Sequence, residues 1–275
     1  MEVIHLDDTN LKYWQNNSRD NVVALGFFDG VHKGHQHVIE CAKAVADEKD
    51  VSLDVMSFFP HPKTVLSNGR TIIQYLMTLD EKAKVLKRMG VDRFYIVNFT
   101  KAFAGQSPEQ YVAEYLLKLK TVHAVAGFDF SYGFKGQGKI STLDAASGCQ
   151  ITTSEIGKVE CHGAKISSTL IREMILSGRM LKVRQLLGRN YTTHTRIYNG
   201  QIRPKRDYIL PQTGYYDVTL RADFYHHECK VFVDHDNHTI SFVDNTLLKH
   251  FNNKNLEITW KRKVASFAMK QYAIS

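Results

Sequence analysis

The stretch that decides the fold reads Val22-Val23-Ala24-Leu25-Gly26-Phe27-Phe28-Asp29-Gly30-Val31-His32-Lys33-Gly34-His35. It opens on an apolar run of strand length. Val38, Ile39, Ala42, Val45 and Ala46 then follow Gly34 at helical spacing, so a helix begins within or just after this segment. In open α/β sheets ligands gather at the carboxyl ends of strands, and a helix N-terminus offers unpaired N–H groups and positive dipole potential to phosphate. Gly26, Gly30 and Gly34 let the backbone approach such a ligand, and His32 and His35, three apart, project from one face of the first helical turn. A lone histidine here would more often cap the helix or pack locally. Two of them, behind a strand, can grip one phosphate chain.

Outward from this segment the same alternation continues to about residue 187. Apolar runs at 53–59, 94–97, 122–126 and 151–156 alternate with helical faces over 79–89 and 108–119, the βαβ rhythm of a parallel sheet covered on both faces. Beyond Gly188 the chain changes to short alternating segments, read as strands over Thr192–Ile202, Tyr215–Ala222, Cys229–Asp234, Thr239–Val243 and Leu256–Lys263. A small antiparallel β domain follows the α/β one.

Composition narrows the classes of function. A chain of 275 residues, 43% hydrophobic and 23% charged, has room for one large domain or two modest ones. No run approaches the ~20 apolar residues that a membrane span needs. The start, Met1-Glu2-Val3-Ile4-His5-Leu6-Asp7-Asp8, is acidic and lacks a basic region followed by an apolar core, so the cytoplasm is the expected compartment. Cys41, Cys149, Cys161 and Cys229 lie far apart with no CxxC pair and read as reduced thiols. The net charge of +8 is spread out: residues 1–189 carry 24 Lys and Arg against 20 Asp and Glu, and residues 190–275 carry 12 against 8. Lys261-Arg262-Lys263 is a short basic run, and small anionic ligands fit this distribution as well as a polynucleotide does.

Four more segments carry chemistry. Lys165-Ile166-Ser167-Ser168-Thr169-Leu170-Ile171-Arg172 puts three hydroxyl residues where a helix begins and a cation one turn in, which can clamp phosphate, although capping alone would account for one or two of the hydroxyls. Phe58-Phe59-Pro60-His61-Pro62 ends the second strand, and Gly127-Phe128-Asp129-Phe130-Ser131-Tyr132-Gly133 follows the fourth. Phe103-Ala104 with Ser107-Pro108-Glu109 opens a helix, with Ser107 as N-cap and Pro108 at its first position. Gly133 to Lys139 begins like a P-loop, but Ile140 stands where Ser or Thr must hold magnesium, and no apolar strand precedes it directly.

His32-x-Gly34-His35 after a strand resembles the phosphate-binding motif of the nucleotidylyltransferase superfamily. With the longer Gly26–His35 form and the other segments in this order, residues 15–189 resemble the FMN adenylyltransferase (FAD synthetase) module of bacterial bifunctional riboflavin kinase/FAD synthetases. The resemblance implies an α/β fold: a Rossmann-like nucleotidylyltransferase domain with a parallel sheet over 1–188, then a small antiparallel β-barrel-like domain over 189–275. It implies AMP transfer from ATP to FMN, with ATP and FMN as small-molecule substrates and magnesium on the triphosphate; no membrane partner is expected, and nucleic acid stays a minor alternative for the tail alone. The catalytic residues expected are His32, His35 and Arg172. Gly26, Phe27, Phe28, Asp29, Gly30, Gly34, Ser167, Ser168 and Thr169 are expected at ATP, and Phe59, Pro60, His61, Pro62, Phe128, Asp129, Phe130 and Tyr132 at the flavin. Phe130 and Tyr132 could equally be core residues.

The tail departs from the family. Bifunctional relatives carry Gly-Arg-x-x-Gly-Phe-Pro-Thr-Ala-Asn, whereas this chain reads Tyr198-Asn199-Gly200-Gln201-Ile202-Arg203-Pro204-Lys205-Arg206-Asp207-Tyr208. Leu210-Pro211 and Gly214-Tyr215-Tyr216 still resemble the next strand of that kinase, so a shortened riboflavin-kinase-like domain without the kinase motif is expected. Two rivals stand beside this reading. His-x-Gly-His alone also suits an adenylyltransferase for another phosphorylated acceptor, such as pantetheine phosphate or nicotinamide mononucleotide, which the longer flavin-type motifs disfavour. The altered tail with its basic run suits a non-enzymatic flavin sensor or RNA-binding regulator, which the intact catalytic motifs disfavour.

Overall fold

Strands that are apolar at every position need cover on both faces, and the central strands of this chain have it. The computed structural model describes residues 1–198, 201–202, 204, 208–223, 225–251 and 254–264. Its first compact unit comprises Met1–Ile73 and Thr78–Ile166. Here β1 (Glu2–Leu6), β2 (Asn21–Leu25), β3 (Ser52–Phe59), β4 (Arg93–Asn98), β5 (Thr121–Gly127) and β6 (Thr152–Ile156) form one sheet in the order β1-β4-β3-β2-β5-β6. Every pairing in it is parallel. All of β2 is buried. One sheet face, with Val23, Leu25, Met56, Phe58, Tyr95 and Ala124, packs with Tyr111, Tyr115, Leu116, Ile140 and Leu143. The helix α1 (Lys33–Lys49) buries Val38, Ile39, Ala42 and Ala46 and packs on β2, β3 and β5. α2 (Leu79–Arg88) is closed by a capping box between Thr78 and Glu81.

Two elements differ from the sequence reading. β1 is an added edge strand. Only Ile4 and Leu6 of it are buried, and that short alternation is a weak signal. The helix expected over 108–119 is α3 (Pro108–Val112) followed by a π-helical turn at Ala113–Leu117. Ser107 forms the expected cap, in a capping box with Gln110. Ile140, at the rejected P-loop, opens α4 (Ile140–Ala146) with its side chain buried.

The second unit comprises Gln74–Met77 and the described residues from Ser167 onward. Its helices α5 (Ser168–Leu176) and α6 (Met180–Leu187) precede β7 (Tyr191–Tyr198), β8 (Gln201–Ile202), β9 (Gly214–Ala222), β10 (Tyr225–Asp234), β11 (Thr239–Phe242) and β12 (Asn255–Val264). These strands close into an antiparallel barrel in the order β7-β8-β11-β10-β9-β12. Ile197, Val218, Leu220, Val231, Val233, Ile240, Ile258 and Trp260 are buried, and the Trp260 indole donates to the Thr193 hydroxyl at 3.1 Å. The segment Thr192–Ile202, expected as one strand, is two: Ile197 pairs with Ile202 and Tyr198 with Gln201. Asn199 and Gly200 lie outside the described residues, as do Arg203, Lys205, Arg206 and Asp207 of the altered kinase segment. The compact units also cut the chain elsewhere than at residue 188, because α6 packs on β7 and β12 and on α5. Among the described residues no helix is long and apolar enough to cross a membrane, and Cys41, Cys149, Cys161 and Cys229 are free thiols.

Candidate active site

From β2 the chain steps through β3 to β4 on one side, then crosses back to β5 and β6 on the other, so the sheet order reverses between β2 and β5. Such a reversal leaves a crevice at the carboxyl ends of the two strands. The segments leaving those ends are Gly26–His32 and Phe128–Tyr132, both singled out in the sequence. The first loop is tightly wound: Phe28, Gly30 and Val31 have φ of 53°, 78° and 37°. A Cβ on Gly26 would come within 2.9 Å of the Phe28 ring, so this glycine makes room for the chain's own aromatic side chain.

His32 is the N-cap of α1. Its Nδ1 accepts the His35 backbone N–H at 3.3 Å, which leaves Nε2 as the protonated nitrogen of the neutral ring. The two imidazoles stack, with centroids 3.6 Å apart and planes 16° from parallel. A Cβ on Gly34 would meet the His32 ring at 3.2 Å, so Gly34 leaves the space the imidazole occupies. His35 also meets the Phe28 ring edge-on, at 5.3 Å. Burial holds its pKa well below the ordinary histidine value, and the positive charges of His32, Lys82 and Lys165 act the same way. Its Nδ1 is buried without a hydrogen-bond partner among the described residues. At neutral pH His35 is therefore an uncharged imidazole.

Around the pair lie groups the sequence reading did not select. Lys82 of α2 is buried, and its ammonium donates to the Phe27 carbonyl at 2.7 Å. Lys165 donates to Asp129 at 2.6 Å and lies 4.5 Å from the centre of the Phe128 ring. Phe27 meets the His61 ring at 4.3 Å, and His61 caps the short helix Pro62–Leu66 through its Nδ1. The Phe59–Pro60 bond is cis. Phe59 and Phe128 are exposed, and Phe130 is partly buried. The side chains of two residues expected at ligands lie in the core, the alternative already open for Tyr132. Phe28 lies beneath Gly26 and against His35, and Tyr132 packs with Tyr111 in the aromatic core, with ring centres 5.0 Å apart, so neither side chain lines an open surface.

The family model for FAD synthetase matches residues 14–170, more than half of the chain and all of the loop just described. The chain belongs to the FAD synthetase family. It is 41% identical over 216 residues to a bifunctional riboflavin kinase/FMN adenylyltransferase of Listeria monocytogenes, covering 74% of this chain and 69% of that one. It is 32% identical over 219 residues to a protein of the same organism named FAD synthetase, covering 79% of this chain and 87% of that one. A crystal structure of a macrolide-efflux protein from Streptococcus pneumoniae shares the fold, with a TM-score of 0.81 and 24% identity, covering 96% of this chain and 100% of that one.

In this FAD synthetase family member the second hydroxyl-rich motif belongs to the second unit. Ser167 is the N-cap of α5, accepting the Leu170 N–H at 3.2 Å, so capping accounts for this one hydroxyl. Ser168 and Thr169 occupy the first two helical positions, and the Arg172 Nε donates to the Gln74 carbonyl at 3.0 Å. Among the described residues no group of three or more His, Cys, Asp or Glu is arranged to hold a metal. Magnesium that arrives on a triphosphate needs no such cage, since one or two carboxylates and the phosphates themselves complete its shell.

Proposed function

We propose that this FAD synthetase family member transfers AMP from ATP to FMN, giving FAD and pyrophosphate. The observation that carries the reading is the stacked His32–His35 pair on the N-terminal turn of α1, at the reversal point of the sheet. A phosphate oxygen of FMN attacks the α-phosphorus of ATP in line, the new P–O bond forms, and the bond to the β-phosphate breaks. The attacking phosphate is already ionised, so the step needs no general base and rests on positioning and charge stabilisation. An imidazole pair suits that role, because each ring can donate a hydrogen bond to the reacting phosphates, and His35 does so uncharged. Gly26, Phe27, Asp29, Gly30 and the first turn of α1 take the nucleotide. Ser168, Thr169 and Arg172 hold the β- and γ-phosphates. Phe59 to Pro62, Phe128 and Asp129 serve the flavin. Magnesium enters as part of the ATP substrate and shields the triphosphate.

Residues 1–188 carry this chemistry, and residues 189–275 form a riboflavin-kinase-like domain that has lost the kinase reaction, because the Gly-Arg-x-x-Gly-Phe-Pro-Thr-Ala-Asn motif is missing. The cytoplasm, where thiols stay reduced, is the setting we assign. The test is chromatography of flavins after incubating pure protein with magnesium, ATP and either FMN or riboflavin. FAD from FMN and no product from riboflavin is the expected result. No FAD from FMN removes the main reading, and FMN from riboflavin removes the loss of kinase activity.

A further inference from the structure

Two elements converge on one carbonyl behind the phosphate-binding loop. Lys82 of α2, 3% exposed, donates to the Phe27 oxygen at 2.7 Å and to the Ser57 hydroxyl at 3.3 Å. Ser57 of β3, itself buried, donates to the same oxygen at 2.8 Å. The Lys82 ammonium also stands 4.9 Å from the centre of the Phe27 ring. A peptide unit is planar and trans, so pinning the Phe27 carbonyl inward turns the Phe28 N–H the opposite way. That N–H makes no hydrogen bond to the described residues. It belongs to the residue whose positive φ starts the tight loop.

A buried ammonium is a poor choice for stability alone. Burial pushes the Lys82 pKa down to about 8, with the Asp29 carboxylate opposing the shift, and an apolar side chain of the same length would fill the space without that cost. We propose that Lys82 is a positioning residue of the nucleotide site: by holding the Phe27 carbonyl inward it presents the Phe28 N–H to a phosphate oxygen of ATP. Its charge, which interacts with Asp29 of the loop and with His35 of α1, adds positive potential behind the same phosphates. The proposal deepens the adenylyl-transfer reading and rests on it for the identity of the ligand.

The experiment compares the full chain with Lys82→Met, measuring the thermal midpoint, MgATP affinity by calorimetry without flavin, and the KM of each substrate. Loss of a hydrogen bond to a charged group predicts MgATP binding at least ~10-fold weaker, with the FMN KM changed less than ~3-fold and the midpoint within a few degrees of the parent. A folded variant whose MgATP affinity stays within about twofold overturns the proposal. Should the variant fail to fold, a pH series on the unaltered protein decides. MgATP affinity should then fall as pH rises through about 8, where Lys82 loses its proton. Asp29 and His35 are the ionisable groups that interact electrostatically with Lys82, and His35 stays uncharged across that range, so a flat profile overturns the proposal. Calorimetry needs no turnover, so a protein that binds MgATP but makes no FAD defeats the transfer reading while the Lys82 test still runs.

Discussion

The capping role of His32 and its proposed catalytic role can be separated by single substitutions. Its Nδ1 caps α1, and in the proposed reaction its imidazole also contacts the reacting phosphates. Alanine would remove both, at a capping cost of about 1 kcal/mol. His32→Asn keeps a capping oxygen and discards the imidazole, so it should melt like the parent while FAD formation falls at least ~100-fold, the scale for losing one such donor. Near-normal turnover in this variant would make His32 a cap and nothing more. Gly34 offers the converse case. Ala is the better helix former by about 1 kcal/mol, yet a Cβ here would press on the His32 ring at 3.2 Å. Gly34→Ala should hold or raise the melting midpoint while turnover drops roughly 10-fold through a displaced imidazole. A variant with full turnover would show that the ring has room to move.

At the scale of the element, β3 carries a carboxyl at a position that pairing buries from both sides. Asp54 is fully buried, and among the described residues neither of its oxygens has a partner at full hydrogen-bond geometry, Ser52 offering only weak support. Burial pushes its pKa up to about 7, with Asp92 adding to the rise and Arg93 and Arg19 opposing it. The native state therefore keeps a proton that the unfolded chain gives up near pH 4. Stability falls as pH climbs between those values, and the cost is full above about 7. Asp54→Asn should flatten that slope and stabilise the fold at pH 8 by on the order of 1–3 kcal/mol, with little gain at pH 4. Denaturant unfolding at the two pH values measures it, and an equal effect at both would mean that Asp54 is ionised throughout. β1 teaches a related lesson. An edge strand with two inward residues carries little periodicity, and its place became legible only through its register on β4.

Over the whole molecule, compactness follows packing rather than the change in sequence character at Gly188. Met180, Val183, Leu186 and Leu187 are buried on α6, which packs on the barrel strands β7 and β12. The segment Gln74–Met77 joins the same unit, with Tyr75 bridging Tyr208 and the Gln74 carbonyl taking the Arg172 Nε. A chain stopped after Arg189 would lose the strands on which α6 buries its apolar face. We expect amides of residues 168–187 to exchange with solvent far faster in that fragment, while those of β2 and β3 stay protected. Unchanged protection across 168–187 would show that these helices stand without the barrel. Local signals, the alternation of apolar runs, the Ser107 cap and the His-x-Gly-His spacing, were enough for the sheet, the loop and the paired histidines, because strand period and helix-start chemistry act over a few residues. No motif singles out Lys82 in sequence, Phe28 is expected there at ATP, and Tyr132 stands open between flavin contact and core. Tertiary structure alone decided that Lys82 is buried under Phe27, that the two aromatic side chains are core, and which unit claims the helices after Ser167. Burial and charge environment depend on which distant segments pair, and no short window of sequence contains that information.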